Sequence, residues 1–213
     1  MAEIFSPNML KTYEKCPKKY CFKYIKKLQM PVNDDIFVFG KNIHALASYC
    51  LRGENINNME KSLTPKESEI WSYLKGIKYF GFDTVNTEYS LSVKLGDNFF
   101  GGRLDALVKN EDQYHILDYK TGSVPKNPIY DYQTMIYLLC VSKFFNTDNI
   151  TFVYIDLKNK KEVQIEFKNE LINEYENRLK EISANIDKGN FKAVKNDCKH
   201  CEYGKICYDK ILN

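Results

Sequence analysis

The spacing of apolar residues changes twice along the chain. Over residues 6–81 apolar residues recur every three or four positions, which predicts helices. Over residues 87–120 they alternate with polar residues, and two groups of turn residues interrupt the alternation, which predicts a three-stranded antiparallel meander. The elements predicted after the meander are a helix (128–145), two strands (150–157 and 163–167) and a long helix (169–188). The pattern therefore predicts a mixed α/β domain.

Capping signals sharpen the prediction for the helical N-terminal part. Ser6 followed by Pro7 is typical of an N-cap with proline at the first helical position. Pro17 interrupts that helix and opens a second one. A third helix is expected over 37–51, and a fourth over 64–81 begins with the capping box Thr-Pro-Lys-Glu.

The length of 213 residues fits a single domain. We divide it into a helical N-terminal part (1–80), a core (83–188) and a cysteine-rich C-terminal tail (189–213). Hydrophobic residues make up 44% of the chain and charged residues 28%, which excludes a disordered chain, collagen and a simple coiled coil.

The net charge of +3 is concentrated at the N-terminus. Residues 1–30 contain seven lysines and two glutamates. Such a basic segment fits either a polyanionic partner or a solvated helix face. Three tyrosines interleaved with these lysines, Tyr13, Tyr20 and Tyr24, either stack on bases or pack in the core.

No run of about 18 apolar residues, the length needed to span a bilayer, occurs in the sequence. The first residues also lack the charged segment and apolar core of a secretory signal. We therefore expect a cytoplasmic protein without a membrane partner. Its seven cysteines are then expected to be reduced thiols or metal ligands.

Two carboxylates and a lysine are predicted to meet at the end of the third strand. Asp118 and Lys120 stand two residues apart and so project from the same face of a strand. A hairpin centred on 110–112 brings Asp105 beside Asp118. Adjacent carboxylates repel unless a cation lies between them, and oxygen ligands favour Mg²⁺ or Mn²⁺. The alternative is an ordinary salt bridge between Asp118 and Lys120 without chemistry.

The C-terminal tail contains three cysteines in the pattern C-x₂-C-x₅-C: Cys198, Cys201 and Cys207. Three thiols so close in a segment without periodicity indicate a metal site, which requires a fourth ligand for tetrahedral zinc or for an iron–sulfur cluster. Cys16, Cys21 and His200 are candidates for that ligand. The alternative is three unrelated buried cysteines.

Several motifs together resemble the PD-(D/E)xK nuclease superfamily, and more narrowly its RecB-like exonuclease branch. That branch includes CRISPR-associated RecB-like nucleases and AddB-type nuclease domains. The matching segments are 6–17 (SPNMLKTYEKCP), 39–44 (FGKNIH), 102–105 (GRLD), 116–122 (ILDYKTG) and the pair Gln133 and Tyr137. The resemblance implies one nuclease domain with a restriction-endonuclease-like core over nearly the whole chain.

The resemblance also implies roles for individual residues. Those implied to bind the catalytic Mg²⁺ or Mn²⁺ are His44, Asp105, Asp118 and the Tyr119 carbonyl. Lys120 is then the catalytic lysine beside Asp105 and Asp118. Gln133 and Tyr137 are implied to contact DNA or to support the site. Glu88 matches an acidic position that either supports the site or binds a second metal.

Relatives with such a tail carry a 4Fe-4S cluster bound by one N-terminal and three C-terminal cysteines. The ligands implied here are Cys16, Cys198, Cys201 and Cys207. A structural Zn²⁺ on the same residues is the alternative. The remaining cysteines have apolar helical neighbours and are expected in the core.

The expected activity is a metal-dependent DNA nuclease, an exonuclease on single-stranded DNA or DNA ends. A narrower alternative is a CRISPR-adaptation nuclease that trims spacer precursors, working with a helicase or an adaptation protein. An alternative of another class is a non-catalytic DNA-binding scaffold on a nuclease fold. Because no sequence-reading motif is present, we expect little base specificity.

Overall fold

A six-stranded mixed sheet forms the centre of the computed structural model, which describes residues 4–31, 35–194 and 198–209. Its strands are β1 (Ile4–Phe5), β2 (Asp83–Leu95), β3 (Asn98–Asn110), β4 (Gln113–Lys120), β5 (Ile150–Asp156) and β6 (Lys161–Glu166). The strands β2, β3 and β4 form the predicted antiparallel meander. β5 lies parallel to β4, β6 lies antiparallel to β5, and β1 pairs in parallel with the start of β3.

Eight α-helices are present in the described part of the chain. They are α1 (Pro7–Lys15), α2 (Pro17–Tyr20), α3 (Asp35–Leu51), α4 (Asn57–Lys61), α5 (Pro65–Gly76), α6 (Tyr132–Phe145), α7 (Glu170–Asp187) and α8 (Gly204–Asp209). A π-helical turn (Cys21–Ile25) continues α2. No helix of the described residues has the length and apolarity that crossing a membrane would require.

The predicted N-caps are confirmed. The Ser6 side chain accepts a hydrogen bond from the Met9 amide, which satisfies one of the free donors at the start of α1. Thr64 and Glu67 form the reciprocal capping box at the start of α5.

Helices cover both faces of the sheet, and the side chains of the central strands alternate between two cores. On β5, Phe152 and Tyr154 point into the core beneath α1, α6 and α7, whereas Val153 and Ile155 point into the core beneath α3 and α5. A strand buried on both faces reads as a continuous apolar run, as 150–157 does in the sequence. This layering brings α3 and α6 to the same end of β4 from opposite faces.

Several predicted boundaries were wrong. The helix expected over 64–81 ends at Gly76, and a 3₁₀ turn (Lys78–Gly81) follows it. The first strand of the meander begins at Asp83, four residues before the alternation becomes regular. The helix expected from residue 128 begins at Tyr132, because Asp131 caps it by accepting from the Gln133 amide. Of the predicted tail, residues 195–197 and 210–213 lie outside the described residues.

Candidate active site

A cleft of about 840 Å³ opens where β4 ends, between α3 and α6. Its wall includes every residue that the sequence nominated for metal binding or catalysis, together with Gln133 and Tyr137. These residues are His44, Glu88, Asp105, Asp118, Tyr119, Lys120, Gln133 and Tyr137. The convergence follows from topology, because the hairpin β3–β4 aligns Asp105 with Asp118 while α3 and α6 add side chains from the two faces.

His44 of α3 is hydrogen-bonded to both strands of that hairpin. Its Nε2 lies 2.9 Å from the Tyr119 carbonyl oxygen, and its Nδ1 lies 3.3 Å from Asp105 Oδ1. The other oxygen of Asp105 accepts from the Tyr119 amide at 2.9 Å. Burial by itself lowers the pKa of His44, but the hydrogen bond and charge of Asp105 outweigh it and raise that pKa above 6.5. The imidazole ring therefore links the Asp105 carboxylate to the Tyr119 carbonyl.

Asp118, Lys120 and Gln133 form a second group on the α6 side of the cleft. The Lys120 ammonium lies 2.7 Å from Asp118 Oδ2 and donates to Gln133 Oε1 at 2.8 Å. The Gln133 amide in turn donates to Asp118 Oδ1 in a very short hydrogen bond. Gln133 thus fixes the carboxylate and the lysine relative to each other, which is a supporting role that needs no direct contact with DNA.

The carboxyl group of Asp118 is buried beside a second carboxylate. Burial and the charge of Asp105 raise its pKa to about 6, although the Lys120 ammonium opposes them. Its Oδ2 is shielded from solvent and is paired with the Lys120 ammonium. A buried carboxylate oxygen with one cationic partner keeps a lone pair with which it can bind a further cation.

Glu88 approaches the site from β2 in a strained conformation. Its φ of +49° lies in the left-handed region, which is uncommon for a residue other than glycine and clusters at functional sites. Ligand atoms of His44, Glu88 and Asp105 lie within 4.8 Å of one another, the tightest such group among the described residues. Arg103 Nε contacts Glu88 at 3.0 Å and offsets its charge. Glu88 therefore belongs with His44 and Asp105 to the group of closely spaced ligand atoms. Asp118 instead faces Lys120 and Gln133.

These donors suit a divalent metal. The carboxylate oxygens and the backbone carbonyl are hard donors, and one imidazole nitrogen of intermediate character joins them. A cation bound by His44, Asp105 and the Tyr119 carbonyl would replace the hydrogen bonds that now link these groups. Asp118 Oδ2, which is paired with Lys120, can bind the same ion through a remaining lone pair.

Tyr137 supports the cleft from beneath. Its hydroxyl donates to the Arg103 carbonyl at 3.1 Å, and its ring is almost fully buried. A Cβ built on Gly102 would lie 2.7 Å from this hydroxyl, so only glycine lets Tyr137 approach β3. Of the two roles open to Tyr137, support of the site therefore fits better than contact with DNA.

The sequence analysis did not identify Arg103, Tyr49 and Arg52, which also line the cleft. Arg103 could have been found, because it stands two positions before Asp105 on a strand. Tyr49 and Arg52 stack at the end of α3, with the guanidinium 4.7 Å from the ring centre, and Arg52 donates to Ser48 at 3.0 Å. No motif marks them, since their place in the cleft depends on how α3 packs against β2.

The tail docks on the N-terminal helices and brings its cysteines to Cys16. Lys19 and Glu202 form an ion pair at 2.7 Å, and the Tyr203 hydroxyl donates to the Leu28 carbonyl at 2.9 Å. The pKa of Cys207 is raised by burial and by its neighbours Cys16, Cys198 and Cys201. The four cysteines nominated as cluster ligands are therefore neighbours.

The four thiols are neighbours without forming a tight metal-binding group in the structure. No three of the described thiol sulfurs lie within 4.8 Å of one another. The remaining cysteines follow the expectation of core packing in part: Cys21 and Cys140 are buried, and Cys50 is half-buried.

The lysine-flanked tyrosines are largely structural. Tyr13 and Tyr20 are buried with their ring centres 5.5 Å apart, and the Tyr13 hydroxyl donates to the Asn190 carbonyl at 2.8 Å. Rings enclosed in this way cannot stack on a nucleic-acid base, so the expectation of base stacking is wrong for Tyr13, and the interpretation of Tyr20 as a core residue is correct.

Comparisons with known proteins agree with this site. The sequence profile of the PD-(D/E)XK nuclease superfamily matches residues 4–78 and 67–208. The CRISPR-associated exonuclease Cas4 of Francisella tularensis subsp. novicida (strain U112) is 27% identical over 135 residues, which make up 62% of this chain and 67% of that protein. The crystal structure of a candidate exonuclease from Eubacterium rectale resembles the fold with a TM-score of 0.60 at 11% identity, covering 95% of this chain and 87% of that one. The chain therefore belongs to the PD-(D/E)XK nuclease superfamily.

Proposed function

We propose that the chain is a deoxyribonuclease that requires Mg²⁺ or Mn²⁺ and degrades single-stranded DNA or DNA ends as an exonuclease. The observation that carries the proposal is the meeting of Asp105, Asp118 and Lys120 with His44 in one open cleft. A cleft lined by carboxylates suits a polyanionic substrate only if cations offset their charge.

In this proposal the metal ligands are His44, Asp105, Asp118 and the Tyr119 carbonyl, and Glu88 contributes to the same ion or to a second one. A divalent cation bound there would offset phosphate charge and lower the pKa of water. Asp105 and Asp118 accept from backbone and side-chain donors that fix their directions, so little reorganisation is needed before substrate binds.

Lys120 is the proposed catalytic lysine. Its ammonium is held between Asp118 and Gln133 and is about a quarter exposed to the cleft, so it can hold a water molecule or donate to a phosphate oxygen. Arg103, two-thirds exposed beside Glu88, is the second cation that a phosphate would meet. The Lys120 ammonium and the Arg103 guanidinium would both stabilise the negative charge that develops on the phosphate during cleavage.

The identity with the Cas4 exonuclease supports a more specific proposal. We infer that the chain takes part in CRISPR adaptation, where it trims spacer precursors together with an adaptation protein or a helicase. The Cas4 match supports this assignment over that of a repair or phage exonuclease.

We also propose that Cys16, Cys198, Cys201 and Cys207 bind a 4Fe-4S cluster. The pattern C-x₂-C-x₅-C and its position beside Cys16 support this ligand set. Such a group would tie the cysteine-rich tail to the N-terminal helices, in addition to the ion pair between Lys19 and Glu202. Iron and sulfide analysis of anaerobically purified protein tests this, and stoichiometric zinc without iron contradicts it.

The activity is tested with single-stranded DNA labelled at either end, incubated with Mn²⁺, Mg²⁺ or EDTA. The account predicts cleavage with metal that is lost in Asp105→Ala, Asp118→Ala and Lys120→Ala. Lys94→Ala, which removes an exposed lysine of β2 outside the cleft, is the matched control and retains activity. Cleavage that persists in all three site variants refutes the assignment. Salt-dependent binding without cleavage by the wild type instead favours the non-catalytic DNA-binding subunit.

A further inference from the structure

A second hollow lies on the far side of Thr121 from the catalytic cleft. It has a volume of about 220 Å³, with Phe39 of α3 and Leu157 at the end of β5 in its apolar wall. Lys66, Lys158 and Lys160 also line it, and we call it the lysine hollow.

The lysine hollow has an excess of positive charge. Its three lysines face a single carboxylate, Glu69, which is already paired with Lys160 at 2.6 Å. Lys66 lies over the Phe39 ring at 5.2 Å. Neither Lys66 nor Lys158 forms an ion pair with any residue in the described part of the chain, and both side chains are exposed. Lys66 and Lys158 can therefore both contact an anionic ligand, although the charge of Lys158 also acts on Asp156.

The hollow and the catalytic cleft share a border. Thr121 lines both, and it directly follows the catalytic lysine. Gly40 of α3 lies in the cleft while its neighbour Phe39 lies in the hollow, and a Cβ on Gly40 would contact the Thr121 side chain at 3.4 Å. A strand that extends from the cleft past Thr121 therefore reaches the hollow.

We propose that the lysine hollow binds the single-stranded DNA substrate on one side of the scissile phosphate. This inference rests on the proposed nuclease function and adds a site for the strand outside the catalytic residues. Lys66 and Lys158 contact backbone phosphates, and the apolar wall accepts the sugar or base between them. A single strand has this combination of regularly spaced charges and flat apolar groups. The contacts are to the backbone, so binding is independent of sequence.

The test compares Lys66→Ala/Lys158→Ala with the control Lys94→Ala/Lys188→Ala, which removes two exposed lysines elsewhere. Binding of a fluorescent 20-nucleotide strand and of a trinucleotide, both with nuclease-resistant phosphorothioate linkages, is measured with Mn²⁺ present over a range of NaCl concentrations. Each phosphate contact contributes about 0.7 to the slope of log K against log salt for single strands. We therefore expect the hollow variant to lower the slope by about 1.4 for the long strand and to leave trinucleotide binding unchanged.

Metal-dependent cleavage is measured on the same preparations to separate the two claims. A wild type that does not cleave contradicts the proposed function. A wild type that cleaves, combined with an unchanged salt slope in the hollow variant, overturns the inference while leaving the proposed function intact. An equal loss of slope in the control variant also overturns it, because the effect is then one of net charge.

Discussion

The negative charge of Asp118 destabilises the metal-free protein, so its removal should stabilise the fold. The side chain is 6% exposed, and burial together with Asp105 raises its pKa from 3.8 to about 6. Each pKa unit corresponds to about 1.4 kcal/mol, so the ionised form costs on the order of 3 kcal/mol in the folded state relative to the unfolded chain. Asp118→Asn removes this penalty and retains the acceptor for Gln133.

The sign of the pH dependence follows from the raised pKa. Below pH 3.8 the Asp118 carboxyl is protonated in the folded and the unfolded state, so it does not lower the free energy of unfolding. As the pH rises through about 6 the carboxyl ionises in the folded state as well, and that stability is lost. The free energy of unfolding of Asp118→Asn minus that of wild type should therefore grow by on the order of 2–3 kcal/mol between pH 4 and pH 8. Urea unfolding of EDTA-treated protein, followed by the fluorescence of Trp71, measures it.

Asp156 provides a matched control on the neighbouring strand. Burial raises the pKa of this aspartate, but hydrogen bonds from the Asn159 amide and side chain at 2.9 and 2.8 Å outweigh burial and lower it overall. Asp156→Asn should therefore lose stability at pH 8, opposite to Asp118→Asn.

Saturating Mn²⁺ at about 100 times Kd should stabilise the wild type by about 2.7 kcal/mol and Asp118→Asn far less. A variant less stable than wild type at pH 8 without metal, or one stabilised equally by Mn²⁺, would refute the reasoning.

Three other substitutions follow from contacts in the structure. Gly102→Ala should lower stability by about 1–3 kcal/mol because its Cβ meets the Tyr137 hydroxyl, and Tyr137→Phe in the same chain should restore part of it in urea unfolding. Gln133→Leu should reduce the cleavage rate by about 10- to 100-fold because Asp118 loses its support, and unchanged rates would contradict that role. Cys16→Ser should abolish iron and sulfide binding in chemical analysis, whereas Cys50→Ser should bind both as the wild type does.

The positions of Asp105, Asp118 and Lys120 relative to one another could be predicted because the information that sets them is local. Asp118 and Lys120 share a strand face by the period of two, and a short hairpin sets the position of Asp105. The ion pair at 2.7 Å between Asp118 and Lys120 bears out this reasoning. The capping box at α5 is equally local, because two side chains three residues apart satisfy each other's backbone donors.

Features that depend on distant contacts could not be predicted. The strand β1 is two residues long and exists only because Ile4 pairs with Phe99, far along the chain. The left-handed conformation of Glu88 lies within β2, and the alternation of that strand gives no sign of it. Residues with helical spacing, such as Tyr20, are equally compatible with a core and with a ligand platform until their surroundings are known. Tertiary packing decides these cases.

The proposal depends most on a divalent cation that is bound in the cleft by His44, Asp105 and Asp118. A crystal structure of Lys120→Ala with Mn²⁺ and a short single-stranded oligonucleotide, recorded at the manganese absorption edge, tests it most directly. The account predicts an anomalous peak bonded to all three side chains and to the Tyr119 carbonyl, with a phosphate beside it. Manganese bound elsewhere, or an oligonucleotide seated in the cleft with no metal at these residues, would contradict the account.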